Sequence, residues 1–85
     1  MLRYYIIMCR SLTYAQRAVR VLERSGLFAV LVKAPQEVTT EGCNYGAKIR
    51  TIDLERAMRI ISKAEISHGR IIGIDEDGRA SEVEI

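Results

Sequence analysis

The stretch RYYIIMCRSLTYAQRAVRVLERSG, residues 3–26, holds the pattern from which the fold is read. Arg3 to Cys9 is a near-continuous apolar run with two tyrosines and two isoleucines, the signature of a strand buried on both faces. Thr13 with Gln16 three residues later is a capping-box arrangement and predicts a helix start. Ala15, Ala18, Val19 and Leu22 fall at i, i+3, i+4 and i+7, which lays one apolar face along that helix. Gly26 stands where a helix stops, in the C′ position.

Working outward, Leu27 to Val32 reads as a second buried strand that ends near Pro35. Tyr45, Ala47 and Ile49 alternate with Gly46, Lys48 and Arg50, as in a half-exposed strand. Asp53 is a natural N-cap for a second helix with Leu54, Ala57, Met58 and Ile61 on its apolar face. Ser67 to Gly69 reads as a loop and Arg70 to Ile74 as a fourth strand. Asp77-Gly78 favours a tight hairpin turn that returns Ala80 to Ile85 as a short acidic edge strand. The order is βαββαβ with an optional fifth strand. With right-handed crossovers it predicts an α+β ferredoxin-like sandwich, two helices on one face of an antiparallel sheet. Residues 1–85 are expected to form one such domain.

Composition narrows the function. The chain is 48% hydrophobic and 28% charged, which fits a globular domain rather than a disordered one. A core this thin would gain from pairing, so a homodimer is among the expectations. Its apolar runs are too short to cross a bilayer, and no secretory pattern is visible, so a cytoplasmic location is expected. Two cysteines and His68 fall short of a closed four-ligand zinc site. Neither a metal nor a cofactor is expected. Net charge is +2, yet five of the eleven acids (Asp75, Glu76, Asp77, Glu82, Glu84) follow Ile74. Against them stands one base, Arg79, so the first 74 residues carry twelve bases and six acids, or +6.

The segment APQEVTTEGCNYGAKIR, residues 34–50, sets a single thiol, Cys43, between two strands. Loops on a rigid scaffold are where chemistry concentrates. A thiol is nucleophilic as thiolate, and an unperturbed one, with a pKa near ~8.5, is mostly protonated at neutral pH. Gly42 and Asn44 tolerate unusual backbone angles that aim amides at a sulfur. In the βαββαβ order, the end of strand 1, the helix 1 N-terminus at Ser11 to Thr13, the loop with Cys43, and His68 share one end of the sheet. Two readings compete at each thiol. Cys43 is a reactive loop cysteine or an incidental one. Cys9, at the end of an apolar strand, is a small buried hydrophobe or a resolving thiol that pairs with Cys43 on oxidation.

These features together resemble the selenium/sulfur (Se/S) carrier protein-like family of small prokaryotic domains. The resemblance runs through YYIIMCRS, AQRAVRVLERSG, APQEVTTEGCNY, GAKIR and DLERAMRII. The family's loop cysteine maps onto Cys43, and Pro35, Gly42 and Tyr45 also match; Gln36, Thr39 and Asn44 depart from the family pattern. The resemblance implies a carrier that holds a persulfide or selenosulfide on Cys43 and passes it on. Its partners would be sulfur- or selenium-donating and accepting proteins, and turnover by this chain alone is not expected.

Arg17, Arg20 and Arg24 lie at i, i+3 and i+7 on helix 1, and Arg56, Arg59 and Lys63 repeat the spacing on helix 2. Two such stripes on one side of a sheet are either solvated helix faces or a dock for an acidic partner. The basic–aromatic strand signature of an RNA-recognition sheet is absent, which argues against nucleic acid. The alternative to the carrier is a non-catalytic binding or regulatory module for an acidic protein, nucleic acid or small ligand, using the basic helical face.

Overall fold

The computed structural model describes residues 1–34 and 44–83. It is an α+β fold in the order β1 (Leu2–Met8), α1 (Leu12–Arg24), β2 (Ala29–Lys33), β3 (Tyr45–Arg50), α2 (Leu54–Lys63), β4 (Ile71–Asp75), β5 (Ala80–Val83). All five strands join one sheet in the order β2-β3-β1-β4-β5, and every neighbouring pair is antiparallel.

Strand β1 is central, and the expectation that it is buried on both faces holds. Ile7 and Cys9 face the helices with no exposure, while Ile6 and Met8 are buried on the opposite face. The main core lies between the sheet and both helices. Ile7, Ala47, Ile49 and Ile71 of the sheet meet Ala15, Ala18 and Leu22 of α1 and Ala57 and Ile61 of α2. The alanines let each helix approach the sheet closely, and Leu22 and Ile61 fill the space between. A second cluster on the other face gathers Ile6, Met8, Ala34, Ile72 and Ile74.

Several boundaries move. Helix α1 starts earlier than the Thr13–Gln16 pair predicts. Ser11 is the N-cap, in extended backbone, and its Oγ accepts a hydrogen bond from the Tyr14 amide at 3.3 Å. A serine two residues upstream competes for the same role and extends the helix by two residues. Its end is as expected: Gly26 has φ +86°, the Gly26 amide donates to Glu23 O and the Leu27 amide to Leu22 O. Leu27 belongs to that buried stop rather than to β2. Strand β2 is an edge strand with Val30 exposed, not a strand buried throughout, because β3 takes the interior place beside β1.

Asp53 precedes α2 but does not cap it. Its carboxylate accepts from Arg50 Nε at 2.9 Å, and residues Thr51–Asp53 form a 3-10 turn leading into the helix. The fifth strand exists. Asp77-Gly78 lies within a longer loop, residues 76–79, closed by the Asp75 Oδ1 carboxylate accepting from the amides of Asp77 and Arg79.

Helix α2 ends like α1, with the Glu65 amide donating to Ser62 O and the Ile66 amide to Ile61 O. Here the left-handed position, φ 58°, holds a glutamate. A side chain in that conformation costs roughly 1–2 kcal/mol. Glu65→Gly should therefore stabilise the fold by about 1 kcal/mol and raise Tm by roughly 4–8 °C. Thermal melting followed by circular dichroism checks this; an unchanged or lower Tm would mean that Glu65 compensates through its side chain.

Candidate functional site

Pro35, Gly42 and Cys43 lie outside the described residues. What is described is the end of the sheet that flanks them. The Ala34 amide donates to Asn44 O at 2.7 Å, which ties together the chain positions on either side of residues 35–43. One pair further in, Lys33 stands opposite Tyr45 in the β2–β3 register. The Cys9 amide donates to Tyr45 O at 3.1 Å, so β1 leaves the sheet directly beside the start of β3. On its other side the Gly69 amide donates to Met8 O at 2.7 Å and the Met8 amide to Arg70 O at 2.9 Å.

These bonds gather Cys9, the α1 N-terminus, Asn44, Tyr45 and the His68–Gly69 loop at one end of the sheet, as the element order implied. Their environments differ. Asn44 is exposed and Tyr45 half-buried, packed against the helix-side core. Ser11 is half-buried, and its hydroxyl already serves an α1 amide. Thr13 is exposed. His68 is exposed, with Nδ1 2.8 Å from Gly69 O. Cys9 has no exposure and packs in the core; its thiol donates to Ile7 O at 3.6 Å. That is the position of a small core side chain.

The basic residues form a surface of their own. Arg17, Arg20, Arg24, Arg56, Arg59 and Lys63 are all exposed, on two helices that pack against the same face of the sheet. Arg56 reaches across to donate to Ser25 O at 3.3 Å, and Arg17 sits 6.0 Å above the Tyr14 ring. Beside Arg59, the half-buried Leu54 and Met58 line a hollow of about 530 Å³ on α2. Sequence periodicity finds the charges but not this hollow, because Leu54 and Met58 read equally well as core.

No described helix is long and apolar enough to cross a membrane. The model of the family described as "Putative Se/S carrier protein-like" matches residues 4–72. The chain belongs to that family. No curated protein and no solved structure matches it.

Proposed function

We propose that this chain is a sulfur or selenium carrier with Cys43 as the loaded residue. Membership of the Se/S carrier-like family, through a match that spans Cys43, carries the reading. The thiolate of Cys43 attacks the terminal sulfur of a donor persulfide. The donor's S–S bond breaks, its thiolate leaves, and a new S–S bond forms on Cys43 without any external oxidant. Attack by an acceptor thiolate on the terminal sulfur reverses the exchange and discharges the carrier. A selenosulfide is exchanged by the same electron bookkeeping.

The tied loop ends at Ala34 and Asn44 support this role, since they anchor the cysteine-bearing segment to a rigid sheet. A carrier needs an accessible sulfur rather than a deep pocket, because its partners supply the activating groups. Those partners would dock on the basic helical side, where six cations are exposed and one of them, Arg59, lines the hollow of α2 together with Glu55. The strand sequence β4-β1-β3-β2 within the sheet supports the ferredoxin-like arrangement. The reading takes residues 1–85 as one domain and the cytoplasm as its location.

The test is peptide mass spectrometry after incubation with cysteine and a cysteine desulfurase. One reductant-labile sulfur atom on Cys43 is expected. A folded protein with an alkylatable Cys43 that acquires no sulfur from this donor, and no selenium when the same desulfurase is fed selenocysteine, sinks the reading.

A further inference from the structure

The opposite end of the sheet holds a second cluster, about 13 Å away along β1 from Met8 to Tyr4 at roughly 3.3 Å per residue. In the sheet register Lys48 stands between Val30 and Ile6, and Arg50 stands opposite Tyr4. Phe28, one residue before the Ala29–Ile49 pair, continues the Arg50 row. By alternation Phe28, Arg50, Tyr4 and Lys48 share the face away from the helices. With Arg3 they line a cleft of about 230 Å³.

Four features of this cleft ask for a ligand. The ionisable groups among its lining side chains include three strong bases, Arg3, Lys48 and Arg50, and no carboxylate. Arg50 is held by its Nε on the Asp53 carboxylate, which fixes the guanidinium plane and leaves its terminal nitrogens for another anion. Lys48 Nζ lies 4.3 Å from the centre of the Tyr4 ring. Phe28, the one phenylalanine of the chain, is 57% exposed although the core is small and needs apolar area. A simple anion would leave Phe28 unexplained, and an apolar peptide would leave the cations unpaired. A flat ring attached to a phosphate satisfies both.

We propose that this cleft binds one nucleotide unit of a single-stranded nucleic acid, its base stacked on Phe28 and its phosphate held by Arg3, Lys48 and Arg50. Bases stack on exposed aromatic side chains, and the backbone follows a positive groove. The volume falls below the ~300 Å³ at which pockets enclose whole small ligands, so one unit of a longer strand fits better than a free nucleotide. No contiguous RNA-binding signature announces the site because its two rings are far apart in the chain, Tyr4 on β1 and Phe28 just before β2. The carrier reading neither requires this cleft nor depends on it.

Fluorescence anisotropy with a labelled oligouridylate and the full chain tests the assignment, at about 50 mM and about 200 mM salt. Phe28→Ala and Phe28→Leu should each weaken binding at least about fivefold with the salt slope retained, since each removes a stacking face. Lys48→Gln should weaken binding and lower the slope by about 0.7, the value of one phosphate on a single strand. The combined Arg17→Gln, Arg20→Gln, Arg24→Gln variant should bind like the wild type. No binding at low salt overturns the proposal, as does loss confined to the helix variant or an intact affinity in both Phe28 variants. Displacement by uridine monophosphate at equal nucleotide concentration assigns the cleft to free nucleotides and also overturns it.

Discussion

Cys43→Ser should abolish sulfur loading, and Cys9→Ala should leave it largely intact. The two thiols differ in what can reach them. Sulfur exchange needs a thiolate to approach the donor S–S bond in line, which a side chain with no exposure cannot do without local opening. Cys9 is in that position, packed among Ile7, Ala15 and Ala18 with its S–H on the Ile7 carbonyl. Alanine keeps the small apolar volume at residue 9, so the cost should be about 1–2 kcal/mol from a small cavity and the lost bond to the Ile7 carbonyl. The measurement is the fraction of each variant carrying one added sulfur after exposure to a desulfurase. Loading retained in Cys43→Ser and lost in Cys9→Ala would transfer the carrier role to the core thiol. Loss in both would point to a pair acting together, with Cys9 as the resolving partner.

Gly46→Ala should be the most disruptive single-methyl change in the described sheet. A Cβ at residue 46 would lie 2.6 Å from the Ile7 carbonyl oxygen and 2.7 Å from Ile6 Cγ2. The first is backbone of the central strand and the second belongs to a side chain 2% exposed, so neither yields cheaply. Strand β3 lies between β1 and β2, so moving it disturbs two ladders at once. The expected cost is about 3 kcal/mol or more, at the upper end for overpacked sites. That corresponds to a fall in Tm of at least roughly 12 °C for a domain of this size. Gly69→Ala is the matched control, because its nearest neighbour would be Met8 O at 3.7 Å, ordinary contact. Urea denaturation of both variants measures the difference. Equal midpoints would show that β3 shifts freely.

Much of the architecture is legible in local patterns. The run Tyr4–Met8 marked the central strand because apolar residues at consecutive positions fit only a strand covered on both sides. The helix stop at Gly26 was legible because left-handed backbone favours glycine. The same rule fails at Glu65, where the chain accepts a strained residue and the helix end carries no glycine mark. Asp53 shows another limit. An aspartate before an amphipathic run reads as a cap, but Arg50 three residues earlier offers its carboxylate a charged partner, and that contact wins. Phe28 departs from its expected core role for a related reason. Hydropathy ranks it and Leu27 alike as core, while the helix stop buries Leu27 and edge placement exposes Phe28.

The sequence by itself determined the elements, the position of Cys43 between β2 and β3 along the chain, and the basic spacing on both helices. Each of these depends on residues within a few positions of one another, where backbone geometry imposes a short period. Only the tertiary structure decided which strand lies at the edge, that Cys9 is sealed in the core, and that Ala34 is hydrogen-bonded to Asn44. It alone brought Arg3, Tyr4, Phe28, Lys48 and Arg50 to one cleft. Those outcomes depend on the order and register of strands far apart in the chain. A shift of one residue would turn every side chain of a strand to the other face, so no local pattern contains them.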